Sequence, residues 1–261
     1  MRLEFQRDFR QMQRLAFCYL CAKTFANASD VLSRDHVPNT ALFAISDREP
    51  ALILPTHSRC NHDRSAEDEL ITQLVGVLRG RRMVKRARRP TIVGGTFPDG
   101  SKGVGALGVP LRQMIFRWVT GFHAALYGEP LGPSGHMTFL PLPEGRVEGN
   151  RVDAVAVPDA VREFVLALRR NRMTGTLDQI LCRNGKCRYE CVWDQADDGR
   201  RICIWALNLY DWKNLGDTLH FEPRGCVGAY YPENGRIPSS ATLATRLHVD
   251  VPTTNSLDPF A

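Results

Sequence analysis

The sequence lacks any apolar run long enough to cross a bilayer, and its start, Met1-Arg-Leu-Glu-Phe-Gln-Arg-Asp, lacks the apolar stretch of a secretory leader. We therefore expect no membrane partner and a cytoplasmic location, where cysteines stay reduced or bind metal. Acidic side chains are the scarcer charge, with 28 Asp and Glu against 34 Lys and Arg for a formal net charge of +6. That balance suits a polyanionic partner. Internal repeats are absent too. Residues 94–108 are glycine-rich but lack the Gly-Lys-Ser/Thr ending of a phosphate loop, Lys102 lying between Ser101 and Gly103. They read as a linker or a strand–turn region.

Cysteine, by contrast, is not scarce: the chain has 8. Cys18 and Cys21 have the C-x-x-C spacing that lets two thiolates from one tight turn reach one tetrahedral ion. His57 and Cys60 repeat that spacing with one imidazole, which completes a Cys3His set suited to structural zinc. Bound zinc would contribute on the order of 10 kcal/mol or more to folding. His57 also has a second use open to it, on another metal that His62 could reach; spacing favours zinc, because three thiolates alone would leave a structural site open.

Between the two pairs lie Asp35, a hard oxygen ligand, and His36, whose ordinary pKa near neutrality suits a general base. If Ser33–Val37 is a strand, these two side chains point to opposite faces unless the backbone bends. Asn61 follows a ligand directly and offers a neutral carbonyl oxygen. Ser65 reads as a helix N-cap with Asp68 in a capping-box position. Leu70, Ile71, Leu74, Val75 and Leu78 then recur at helical spacing.

The order knuckle, strand, loop, second knuckle, helix resembles the HNH endonucleases and their ββα-metal fold. Asp35-His36-Val37-Pro38, Leu54-Pro55-Thr56-His57, Cys60-Asn61 and the acidic run Ser65–Glu69 are similar to a bacterial subgroup of that family. The resemblance covers about residues 15–80. It implies a DNA endonuclease, with RNA as the other polynucleotide left open. In it Asp35 and Asn61 would hold Mg2+ or another divalent cation, His36 would activate water, and Cys18, Cys21, His57 and Cys60 would hold structural zinc. The chemistry is coherent, since a cation can offset charge on the phosphorane while an imidazole takes the proton. One departure stands out: the family's middle Asn has no counterpart in Pro50–Leu54, leaving Asn39 and Ser46 as substitutes.

Arg79, Arg81, Arg82, Lys85, Arg86, Arg88 and Arg89 follow the helix, and such a run can neutralise several phosphates. As a solvated linker it would need no partner. Beyond it we expect a helix from Pro110 to Tyr127, with His123 packed or at the surface. A strand is expected at Met137–Leu142, a helix at Asp159–Arg172, and two strands at Cys187–Trp193 and Ile202–Leu209, the last central in a sheet. Cys182, Cys187 and Cys191 fit no zinc spacing and read as core, as do Trp193 and Trp205. The expected fold is α+β: a zinc-stabilised ββα-metal module at 1–80, a basic and glycine-rich linker at 81–108, and a mixed helix/antiparallel-sheet domain at 109–261.

Overall fold

Residues 202–207 are apolar at every position, so a strand built from them needs cover on both faces. A computed structural model describes residues 1–25, 32–78, 89–96, 102–107, 109–131, 136–141, 146–148, 151–153, 159–195, 199–209, 226–232 and 235–243. In chain order the elements are β1 (Arg2–Leu3), α1 (Gln6–Met12), β2 (Leu32–His36), β3 (Ile53–His57), α2 (Ser58–His62), α3 (Ser65–Leu78), β4 (Thr91–Thr96), β5 (Lys102–Leu107), α4 (Leu111–Tyr127), β6 (His136–Pro141), β7 (Arg146–Glu148), β8 (Arg151–Asp153), α5 (Asp159–Thr174), β9 (Asp178–Cys182), β10 (Cys187–Gln195), β11 (Arg201–Leu209) and β12 (Cys226–Tyr231). Two 3-10 turns, Thr40–Leu42 and Ile45–Asp47, lie between β2 and β3. The chain is α+β. The expected helices and strands of the second half are present, with ends shifted by a few residues.

Six strands form one sheet in the order β1-β9-β10-β11-β12-β6, antiparallel throughout except for the parallel pair β1–β9. β11 is indeed interior. Its Cys203, Trp205 and Leu207 join one apolar cluster, while Ile202, Ile204 and Ala206 join the other, which contains Phe164, Ala167 and Leu168 of α5. Cys182, Cys187, Cys191, Cys203 and Cys226 all belong to the first cluster, so the sheet cysteines act as small apolar residues under α4. The glycine-rich region pairs as the hairpin β4–β5.

The apolar core crosses the expected boundary between an N-terminal module and a second domain. One cluster runs from Val37, Leu42, Phe43, Leu52, Leu54 and Ile71 through Met114, Trp118 and Phe122 of α4 to Ile180 and Tyr189 of the sheet. The physical reason is the shape of the hairpin β2–β3. Its inner face carries Leu54 and Thr56, both buried, and two strands cannot cover such a face by themselves. β1, which composition did not reveal, adds a further tie by pairing with β9.

α4 sits tightly against this inner face. A Cβ at Gly121 would lie 2.9 Å from Val37 Cγ1 and 3.2 Å from Leu54 Cδ1. Valine has a stiff χ1, so it cannot step aside cheaply. Gly121→Val is therefore expected to destabilise the protein by about 1–3 kcal/mol, the usual overpacking cost, seen as a lower urea midpoint at unchanged m-value. The helix closes at Gly128, whose φ of 69° is left-handed and whose N–H donates to the Ala124 carbonyl at 2.9 Å.

His123 of α4 is packed rather than ligating. It is 1% exposed, its Nδ1 lies 2.7 Å from the Tyr230 hydroxyl, and its ring meets those of Tyr127 and Trp193 edge-on. Asp178 is one hydroxyl further away, accepting from Tyr127 at 2.9 Å. Burial pushes the imidazole down to about 3. A folded-state pKa below the ordinary value means that the unfolded chain binds the proton first. The stability contribution is therefore complete above about pH 6.5 and is lost as pH falls toward 3. From pH 6.5 to 5 the loss should be roughly 2 kcal/mol at 1.36 kcal/mol per unit. Zinc ligands also protonate in acid, so the measurement is the difference in slope between wild type and His123→Phe in urea titrations across that window.

Candidate metal centre

The first knuckle is a small turn of its own. Cys18 N–H donates to the Lys23 carbonyl at 2.9 Å, Ala22 N–H returns to the Cys18 carbonyl at 2.8 Å, and Phe17 bridges Thr24. Ala22 takes the positive φ of 62° that closes the turn. The second pair comes from the junction of β3 and α2: His57 ends the strand, and Cys60 lies in the helix.

These two segments bring Cys18, Cys21, His57 and Cys60 together, with the four ligand atoms within 4.8 Å of one another. Cys21 Sγ lies 3.3 Å from His57 Nδ1. A zinc tetrahedron with bonds of about 2.0–2.3 Å separates its corners by about 3.5–3.8 Å, so modest closure would seat an ion. The surroundings suit a thiolate. The His57 backbone N–H donates to Cys18 Sγ at 3.4 Å, and Leu20 and Cys21 offer theirs as well. Burial, followed by the neighbouring Cys18 and Cys21, pushes the Cys60 thiol up to about 12; burial likewise raises Cys18. A divalent cation reverses that penalty. The cluster could thus hold a metal such as zinc. Among the described residues, this is the group of three or more His, Cys, Asp or Glu whose ligand atoms converge.

The second set of predicted site residues is arranged differently from the expectation. In the β2–β3 register, Asp35 faces inward with Ser33, opposite Leu54 and Thr56, while His36 lies on the outer face with Arg34, opposite Ile53. No bend intervenes, so base and ligand candidates point apart. Asp35 is 6% exposed and bound by a guanidinium. Arg117 Nη2 of α4 donates to its two oxygens at 2.9 and 2.8 Å, and the Tyr19 hydroxyl donates to it as well. Asn61 donates its amide to Ser33 Oγ at 2.9 Å, Ser33 sharing the inner face of β2 with Asp35. Asp35, expected to present a cation together with Asn61, is here the acceptor of a buried ion pair. Burial, followed by Arg183, lowers the pKa of His36 against the opposing pull of Asp35 and Glu49, which keeps it neutral at physiological pH.

Arg117 and Asp68 are the site residues that sequence reasoning missed. Asp68 does not form the capping box: α3 begins at Ser65 itself, whose Oγ donates to the His62 carbonyl at 2.7 Å. The Asp68 carboxylate instead accepts from Arg117 Nη1 and Nη2, both at 2.9 Å. Burial raises its pKa, with Arg117 pulling the other way. For Arg117 burial lowers the pKa, but Tyr19, Asp35 and Asp68 together outweigh it and raise it. One signal was present in the sequence: an arginine inside the apolar run Met114-Ile-Phe-Arg-Trp-Val119, where an unpaired charge would be costly.

Of the family's middle-Asn substitutes, Asn39 caps the first 3-10 turn, its Oδ1 accepting from Ala41 N–H at 2.8 Å, and its side chain also hydrogen-bonds Asp68. Ser46 is exposed and stays local, donating to Asp47. Arg89 is exposed. Arg79, Arg81, Arg82, Lys85, Arg86 and Arg88 lie outside the described residues. No helix among the described residues is long and apolar enough to cross a membrane. No family model, no curated protein and no solved structure matches the chain.

Proposed function

We propose that residues 15–80 form a zinc-braced HNH-type module that binds nucleic acid, and that in this protein it binds without cutting. The observation that carries the proposal is the pairing of the two halves of its metal chemistry. The Cys3His cluster that would fasten knuckle, hairpin and helix is assembled. The carboxylate that would present a catalytic cation is instead saturated by Arg117 and Tyr19. The positive net charge and the basic run after α3 supply the electrostatic attraction to a phosphate backbone.

The endonuclease reading is kept as the second, favoured by one specific observation. His36 is a half-buried, neutral imidazole on the outer face of the hairpin and is therefore able to accept a proton. In that reading Asp35 and Asn61 hold Mg2+ or another divalent cation, and Arg117 has to withdraw first.

The test uses the full chain with its zinc. Fluorescence anisotropy with duplex DNA, single-stranded DNA and RNA should show binding that weakens steeply with salt. Plasmid incubated with Mg2+, Mn2+ or Ni2+ should remain supercoiled. Nicking that disappears in His36→Ala would establish the endonuclease form. Absence of binding to any polynucleotide at low salt would reject both.

A further inference from the structure

We infer that the open cleft beside Phe5 and the arginine stripe of α1 form a binding site for single-stranded nucleic acid, the cleft taking a base and the arginines its phosphates. The residues lie almost wholly outside the segment that resembles the HNH family. The inference rests on the reading that the protein binds nucleic acid, and adds which kind and where.

The stripe is written in the sequence. Arg7, Arg10 and Arg14 recur at spacings of three and four, which places them on one face of α1 and of the turn that extends it. All three are exposed, whereas Phe9 on the other face is 0% exposed. The two acids of this segment are engaged elsewhere. Asp8 accepts from the Phe5 and Glu4 backbone N–H groups at 2.9 and 3.2 Å, and Glu4 pairs with Arg2 at 2.9 Å. Arg7 keeps a loose contact with Asp8, at 3.7 Å, and Arg10 and Arg14 have no acidic partner among the described residues. At a rise of about 1.5 Å per residue the stripe runs about 10 Å, long enough to face about three phosphates of one strand.

The cleft opens at the start of α1. It has a volume of about 680 Å³, and Glu4, Phe5, Gln6, Glu49, Leu181 and Asn184 are among its walls. Three segments build it: the start of α1, the loop ahead of β3 and the β9–β10 turn. Backbone bonds join the last two, Asn184 N–H donating to the Glu49 carbonyl at 2.7 Å and Arg183 N–H to that of Pro50 at 2.9 Å. Ala51 N–H donates to Gln6 Oε1 and Glu49 Oε2, at 3.1 and 3.0 Å, which holds both side chains in place. Phe5 is 56% exposed, and Arg7 Cζ lies 5.2 Å from the centre of its ring. An exposed ring beside a guanidinium is the kind of platform on which unpaired bases stack. The carboxylates of the cleft repel phosphate but accept from base amino groups, so base and backbone are sorted to different places. A duplex keeps its base faces stacked inside and offers Phe5 nothing. An anionic membrane is the poorer match, because Phe9 and Met12, which an interfacial helix would insert, pack into the core.

The test titrates the full chain with its zinc by fluorescence anisotropy, using a single-stranded DNA of about a dozen nucleotides and the matching duplex. Phe5→Ala and Phe5→Leu should each lose about five- to a hundredfold in single-strand affinity and leave duplex affinity unchanged. Phe5→Tyr, which keeps the ring, should bind as wild type. Arg10→Ala/Arg14→Ala should flatten the single-strand salt dependence by about 1.4 in log–log slope, at about 0.7 per phosphate. These side chains are exposed, so zinc content and melting temperature should stay at wild-type values. If wild type binds polynucleotide and the variants bind equally well, the inference is overturned while the parent reading stands. Equal loss of duplex and single strand in Phe5→Ala also overturns it, as does an arginine variant impaired only toward vesicles of anionic lipid. Absence of binding to any polynucleotide rejects both.

Discussion

Replacing Cys60 with Ser, or stripping the ion with a strong chelator, is expected to unfold the knuckle together with the β2–β3 hairpin. Zinc in such a set contributes about 10–16 kcal/mol, comparable to or larger than the whole stability of an ordinary domain. Cys18 and Cys21 come from a short turn closed by its own backbone hydrogen bonds and the Phe17–Thr24 bridge, and His57 and Cys60 from a strand–helix junction, so the ion would be the strongest link between them. Without the ion, three thiols and an imidazole remain crowded within 4.8 Å with no disulfide to hold them. Metal analysis, circular dichroism and limited proteolysis check this together. About one zinc per chain should be present, and its loss should open residues 15–80 to protease first. A zinc-free Cys60→Ser protein with the wild-type melting temperature would remove the centre from the account.

The second large effect belongs to Asp35. Asp35→Ala is expected to destabilise the protein by about 3–5 kcal/mol, the cost of breaking a buried ion pair from one side. Arg117 would keep Asp68, but its Nη2 would lose two close acceptors and the Tyr19 hydroxyl would lose its acceptor. A metal ligand behaves differently. If Asp35 served only to present a cation to substrate, its removal would abolish activity while leaving stability near or above wild type, because active-site carboxylates repel one another. Urea unfolding of Asp35→Ala at unchanged zinc content separates the two cases, and a double-mutant cycle with Arg117→Met should show strong coupling.

What the sequence made legible follows from where the signal is local. The two ligand pairs are each written within four consecutive residues, so spacing alone brought Cys18, Cys21, His57 and Cys60 together. β11 could be placed inside a sheet because its own composition demands two covered faces. The opposite orientations of Asp35 and His36 were also readable, from the period of a strand. The fate of the Asp35 carboxylate was not, because its partner Arg117 is 82 positions away on another element. Asp68 was misread for a related reason: three residues after a serine it satisfies the capping pattern, and only the tertiary structure shows its carboxylate drawn to a guanidinium instead. The two-residue strand β1 is too short for periodicity to register.

The tight seat at Gly121 carries a consequence for how this protein can be dissected. α4 provides both the smooth patch on which Val37 and Leu54 rest and the cation that quiets Asp35. A recombinant fragment ending near residue 80 would keep its zinc knuckles yet lose the floor beneath them, leaving an oily, acidic underside open to water. Such a fragment would regain native behaviour only with a surrogate for α4 supplied as a separate peptide.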